Sequence, residues 1–230
     1  WRENPSCYLE DGEQAVLMAA LMETDNVGRP LIDAWINRSG LSADAWLEKL
    51  FEATVIPFYH LLCRYGVALI AHGQNVTLVM KDYVPQRILL KDFQGDMRLV
   101  DEDFPQAQSL PEQVKAVTAR LSADYIIHDL QTGNFVTVLR FISRLTLQSG
   151  VSETRFYQIL AGVLHRYMAA HPELAERFAK FDLFKPQIIR VILNPVKLTF
   201  SEHDGGSRML PNYVTDLDNP LFLASRESAQ

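Results

Sequence analysis

The stretch from Ser42 to Gly66 constrains this chain most. Its apolar residues Trp46, Leu47, Leu50, Phe51, Val55, Phe58, Tyr59 and Leu62 recur at helical spacing, Ser42 stands where an N-cap belongs and Gly66 where a helix stops. The pattern predicts a long core helix, with a kink expected at Pro57. Such a helix needs a globular body around it, and the composition supplies one: 48% of the 230 residues are hydrophobic and 22% charged, which excludes a disordered chain and a disulfide scaffold. The net charge of −6 makes a poor general binder of nucleic-acid phosphates, so no nucleic-acid partner is expected and any anionic ligand must meet a local basic cluster.

Cys7 and Cys63 stand in unrelated contexts, without CxxC zinc or redox spacing, and read as two reduced thiols of a cytoplasmic protein. No apolar run approaches the roughly 20 residues that span a bilayer, so no membrane partner is expected either. Opening on Trp1 without a Met, the chain reads as a fragment of a longer polypeptide.

Around the long helix the other segments divide in order. Ala15 to Met22 reads as a buried strand. Val67–Ala71, Val76–Lys81 and Arg87–Phe93 read as β-runs of one antiparallel meander, the last two joined by the turn from Asp82 to Gln86, and Met97–Val100 continues it. Helices are expected over Pro111–Leu121, Asp124 to about Leu147, Glu153–Ala170 behind a Ser152 cap, and Glu173–Phe181. An extended segment from Ile188 to Phe200 then precedes the glycine-rich loop Asp204–Arg208 and the tail through Asn219, Pro220 and Leu221. The order predicts an α+β fold, a small antiparallel sheet packed with a mostly helical C-terminal half. It divides into a sheet-rich part over about 1–104, a helical part over 105–182 and an extended tail over 183–230.

Chemistry-bearing residues are densest in the meander, at His72-Gly-Gln-Asn75 and Arg87-Ile-Leu-Leu-Lys-Asp-Phe-Gln-Gly95. Strand alternation sets Asp92 at the end of the apolar stripe Ile88 and Leu90, where an ionised carboxylate needs a metal, a cation or several N–H donors. Pairing Lys81 with Arg87 across the turn sets Val76 against Asp92 and Gln74 against Gln94, which makes the two motifs neighbours at one strand end. The oxygens of Asp92 and Asn75 suit Mg²⁺, which takes few protein ligands and shares the rest with phosphate and water. Arg87 and Lys91 could balance anionic substrate groups. Set against this, a strand-end His is commonly a structural hydrogen-bonder, a Lys/Arg pair on a strand is commonly solvated, and Asp92 could cap a turn. His128 with Asp129, and Asn134, could face the same site, although Asn134 also reads as a helix cap. Asp204–Arg208 lacks the lysine and following helix of a phosphate loop, and Lys185 before Pro186 is uninformative by itself. The motifs of serine hydrolases, zincins and dinucleotide enzymes do not occur.

These residues resemble the IucA/IucC family of siderophore synthetases that work without a peptide-synthetase assembly line, and specifically its C-terminal part. The likeness runs over essentially the whole chain. It is carried by Arg2-Glu-Asn4, by Tyr65 to Asn75 with its HGQN, by Pro85 to Asp96 with its KDFQG, by Asn134 in Thr-Gly-Asn-Phe, by Lys185 and by Asn219-Pro-Leu221. The resemblance implies the palm of a hand-shaped enzyme, and an ATP-dependent ligase that adenylates a carboxylate of citrate or a citryl derivative, releases pyrophosphate and passes the acyl group to an amine. In the aerobactin-type branch the acceptor is N6-acetyl-N6-hydroxylysine and the donor its citryl mono-amide, so the implied partners are a citryl amide and a hydroxamate amine, with a homodimer as the full-length form. By motif match His72 and Asp92 would be the catalytic residues. Gln74 and Asn75 would contact carboxylate and phosphate oxygens, Asn75 and Asp92 would hold ATP and Asp92 its Mg²⁺. Arg87, Lys91 and Asn134 would bind substrate.

The chain departs from the family pattern at three places. Many relatives carry Glu where Ile70 stands, so no Glu-dependent role transfers. The upstream Ser/Arg/Lys-rich ATP segments are missing, so the fragment alone is expected to fold without catalysing. The cysteine-rich cluster of related ferric-siderophore reductases is missing too, which argues against a reductase. Two other function classes stay open beside the ligase. One is an aminoglycoside-kinase-like phosphotransferase, for which Gln74 stands where the catalytic Asp belongs, and the other is a non-catalytic interaction domain.

Overall fold

In the computed structural model, which describes residues 4–91, 93–189, 191–192, 212–213 and 216–227, the long helix runs over Ala43–Tyr65 and carries Pro57 within it. Ser42 Oγ accepts from Ala45 N at 3.2 Å, and Gly66 ends the helix at φ 66° while its N–H bonds Leu62 O at 3.0 Å. Trp46, Leu47, Leu50, Phe51 and Val55 on this helix are all fully buried. It packs on the helix Glu153–Ala170, capped by Ser152 Oγ, whose Phe156 meets Phe51 edge-on with centroids 5.0 Å apart.

Before these helices come strand β1 (Glu13–Leu17) and helix α1 (Leu31–Ser39); with the long helix as α2, the chain then enters β2 (Val67–Leu69), β3 (Val76–Lys81), β4 (Val84–Leu90), β5 (Met97–Val100) and β6 (Ala119–Leu121). The α+β class holds, but the single meander does not: the strands form two sheets, ordered β1-β3-β4 and β2-β5-β6. β2 pairs antiparallel with β5, Val67 against Leu99, and β6 joins β5 in parallel. Outside the β3–β4 hairpin, each pairing therefore joins strands that are distant in the sequence.

Three further readings need correction. The run Ala15–Met22 is a strand only to Leu17 and then a 3₁₀ turn over Met18–Met22, because Met18 and Leu21, three apart, both face the core. The β3–β4 hairpin turns in two residues, Asp82 and Tyr83 at φ 51° and 63°, so that Lys81 pairs with Val84 and, past a bulge at Val79/Met80, Val76 pairs with Leu90 instead of Asp92. Trp46 Nε1 donates to Tyr83 O at 2.8 Å and holds that strained turn. Third, the expected helix Pro111–Leu121 is helical only over Glu112–Val117; Thr118 turns extended and the chain becomes β6.

Residues 123–149 are a chain of short helical pieces, among them a π-helical stretch over Gln131–Leu139. In the C-terminal region Ile188 pairs with Leu217, and the helix Pro220–Glu227 packs on Glu153–Ala170. Asn219 secures this closure. Fully buried, its Nδ2 donates to Leu183 O at 2.8 Å and to Lys185 O at 2.7 Å, while its Oδ1 accepts from Leu221 N at 3.1 Å. The loop Asp204–Arg208, most of the expected extended segment to Phe200, and Arg2 and Glu3 lie outside the described residues.

Candidate functional site

The chain crosses between the two sheets twice in close succession. Residues 70–75 lead from β2 into β3, and residues 91–96 lead from β4 back into β5, ending in the helical turn Phe93–Asp96. The crossings are stitched together by Lys91 N to Asn75 O at 3.3 Å and Ile70 N to Asp96 O at 3.0 Å. The two motifs are thus neighbours at one end of the β3–β4 hairpin, as expected, although Val76 faces Leu90 there and not Asp92.

Asn75, 8% exposed, is held from two sides: its N–H bonds His72 O at 3.0 Å and its Nδ2 donates to the Asp96 carboxylate. His72 Nε2 lies 3.8 Å from Asp96 Oδ2, so that one carboxylate oxygen faces both motif residues. Gly73 is required between them because a Cβ there would stand 3.1 Å from Ala19 N, and its carbonyl accepts from that N–H at 2.9 Å. Gln74 is exposed on the outside of the turn. A small cleft opens beside the crossings, lined by apolar Phe58, Leu69, Val76 and Leu90 and by polar Asn75, Lys91 and Asp96.

The π-helical stretch presses on the same loop. Gly133 comes so near that a Cβ would lie 3.2 Å from Ala71 N, and the fully buried Asn134 donates from Nδ2 to Ala71 O at 3.1 Å. Asn134 is therefore interior to a helix and not its cap, and its Oδ1 has no hydrogen-bond partner among the described residues. π-helical segments recur at functional sites because they displace side chains that an α-helix would align.

Next to this lies an ion pair, Arg98 of β5 with Asp129, at 3.4 Å. Burial pushes the Asp129 carboxyl up to about 6; Arg98 pulls it down and the neighbouring Asp96 charge pushes it up again. His128 is buried, and burial together with the Lys185 charge pushes its imidazole below the ordinary value. Lys185 itself reaches Asp124 at 3.9 Å.

The structure brings His72, Asn75, Lys91 and Asn134 to one region and leaves Arg87 elsewhere. The Arg87 guanidinium reaches across β3 to grip Glu13 of β1 and the Tyr8 carbonyl at 2.8 Å. That grip holds Glu13 down at about 2. Asp92 lies outside the described residues. Sequence reasoning missed Asp96, although it closes the second motif, and Arg98 with its pairing to Asp129, which only the fold reveals.

The comparisons agree with this architecture. The family described as ferric iron reductase FhuF-like transporter matches residues 44–207. Aerobactin synthase of Escherichia coli is 66% identical over 99% of this chain and 39% of its own length, and that of Vibrio mimicus 58% identical over 97% and 38%. Among solved structures, the aerobactin synthetase IucC of a hypervirulent Klebsiella pneumoniae superposes with a TM-score of 0.89 at 63% identity, over 98% of this chain and 39% of that one. The petrobactin biosynthesis protein AsbB of Bacillus anthracis superposes at 0.83 with 26% identity, over 100% and 39%. The chain spans about two fifths of the length of these curated relatives. It belongs to the FhuF-like family and corresponds to the C-terminal part of an IucA/IucC-family siderophore synthetase.

Proposed function

We propose that the complete enzyme carrying this chain is an ATP-dependent ligase of aerobactin-type siderophore assembly. It adenylates a citrate-derived carboxylate, releases pyrophosphate and joins the acyl group to the amine of N6-acetyl-N6-hydroxylysine. The observation that carries this reading is the 66% identity to an aerobactin synthase sustained over 99% of the chain, with the HGQN loop and the KDFQG segment side by side in the fold. Cys63 is buried with its thiol pushed up to about 12, and it and Cys7 are the chain's two cysteines, too few for the four thiolates of an iron–sulfur cluster.

In this reading His72 and Lys91 meet anionic oxygens of substrate and nucleotide, and Asn75 fixes the loop that presents His72. Mg²⁺ accepts one or two carboxylates and takes its remaining ligands from phosphate and water, so the partly exposed Asp96 carboxylate fits it. The metal would offset phosphate charge during adenylation. The acceptor amine attacks the acyl adenylate and displaces AMP, and its proton passes to solvent as the amide forms.

The test is ATP–pyrophosphate exchange by the complete enzyme across a panel of citrate, citryl amides and succinate. Exchange dependent on a citryl carboxylate, weakened by His72→Ala more in its carboxylate KM than in its ATP KM, supports the ligase. Exchange with none of the panel, or ADP as the product, overturns it.

A further inference from the structure

Arg98 stands on β5 two residues after Asp96, with its side chain 18% exposed. A guanidinium carries five N–H donors arranged in a planar fork. Among the described residues only Nη1 of Arg98 finds an acceptor, the two Asp129 oxygens at 3.4 and 3.5 Å. A well-formed guanidinium–carboxylate contact is about 2.7–2.9 Å and commonly engages two nitrogens. The pair is loose, and Nε and Nη2 are left without a described acceptor.

Asp129 is as poorly served. Its side chain is 12% exposed, and it sits on the short helix His128–Leu130, faced by Arg98 from β5 and by the like charge of Asp96 from the turn before β5. Asp96 in turn is met by Asn75 Nδ2, and by His72 at 3.8 Å. Burial, and after it the Lys185 charge, push the adjoining His128 below its ordinary value. Arg98 thus stands, through Asp129, near the Asp96 end of the His72–Asn75–Asp96 cluster, with a weak internal counter-ion.

We infer that Arg98 is an anion-binding residue of this site and that Asp129 is its resting counter-ion, exchanged for the paired oxygens of a ligand carboxylate or phosphate. A planar fork prefers a bidentate partner to a single long contact, so an incoming anion gains what Asp129 leaves unmade. Acid favours the exchange, because burial holds Asp129 near 6 and its protonation frees the fork. The inference leans on the ligase reading only for the identity of the anion, a citrate-type carboxylate or a nucleotide phosphate.

Citrate and inorganic pyrophosphate, each titrated into the 230-residue chain at pH 7.5 and pH 6 with amide chemical shifts as the readout, distinguish the two sources. The expected result is binding of at least one of them, tighter at pH 6, and tightened about tenfold at pH 7.5 by Asp129→Asn, the worth of one charge-assisted contact. The charge-balanced double variant Arg98→Gln/Asp129→Asn should lose that gain. Arg98→Lys, which keeps the charge but not the fork, should weaken binding in the otherwise unchanged chain. Response to citrate alone marks a carboxylate seat and response to pyrophosphate alone a phosphate seat. Binding of neither anion, or equal binding by Asp129→Asn and the double variant, overturns the inference. Pyrophosphate exchange by the complete enzyme could still succeed in that case, which separates this failure from failure of the ligase reading.

Discussion

Asn75 donates to the carboxylate of Asp96 across the two crossings that join the sheets, and this contact ties the HGQN loop to the start of β5. Because Asn75 is buried and its acceptor charged, loss of one partner strands the other. Asp96→Ala should lower stability by roughly 1.5–3 kcal/mol in urea unfolding. The double variant with Asn75→Ala should cost clearly less than the sum of the singles. Additivity within about 0.5 kcal/mol would show that the two side chains do not meet in solution.

Gly133 gives a second handle on the same loop. A Cβ there would lie 3.2 Å from Ala71 N and 3.3 Å from Ile70 Cγ2, and the Ala71 backbone cannot withdraw without moving the adjoining His72. Gly133→Ala should therefore cost about 1–3 kcal/mol by overpacking and shift the amide resonances of residues 70–75. A neutral melt with unchanged resonances would contradict the close approach.

How much of this was readable in the sequence follows from which signals are local. Ser42, Gly66 and Ser152 announce their helix ends because a cap is a contact within one turn, and both long helices have the expected bounds. The bounds of β3 and its hairpin pairing with β4 were legible, yet its other partner β1 was not, since non-local pairing is decided by the packed core. The Asp82–Tyr83 turn carries no glycine, and what stabilises it is Trp46, 37 residues away. At the site, clustering pointed to His72 and Asn75. Arg87 looked equally eligible because nothing near it reveals that Glu13, 74 residues earlier, occupies its guanidinium. Asp129 was eligible beside His128, but nothing local marks Arg98 or reveals that the two pair.

Asn219 tests the C-terminal closure. Its amide serves two carbonyls and its oxygen one N–H, all in a fully buried position. Asn219→Ala leaves the Leu183 and Lys185 carbonyls without that donor and removes the cap of the helix Pro220–Glu227, so a loss of roughly 2–4 kcal/mol is expected. Thermal unfolding that matches the parent would show that Asn219 does not hold the closure together.

Glu13 and Arg87 set the acid limb of stability. The guanidinium, followed by the Glu10 backbone, holds the Glu13 carboxyl at about 2 against an ordinary 4.5. A depressed carboxyl contributes stability that is present above the unfolded value and is lost as pH falls through the folded one. Glu13→Gln should then be less stable than the parent at pH 6 and should close the gap between pH 4.5 and about 2. A gap independent of pH over that range would show that the pair does not form.

Asp129 works in the opposite sense, and its sign is fixed by burial. The folded carboxyl titrates near 6 against an ordinary 3.8, so between those values the folded chain holds a proton that the unfolded chain has released. Stability therefore falls as pH rises through this window, with the penalty absent below about 3.8 and complete above about 6. At about 1.4 kcal/mol for each tenfold change in proton affinity, the full effect is on the order of 3 kcal/mol. Asp129→Asn removes the titration and leaves Glu13, His128 and the other groups in place, so their contributions cancel in the difference between the two proteins. The variant should gain on the parent from about pH 4 to about pH 6 in urea unfolding and then level off, whatever the constant offset from its altered contact with Arg98. A flat difference would mean that Arg98 fully compensates the carboxylate. A difference of reversed slope would mean that the pair is tight, and Arg98 would then have no fork to offer a ligand.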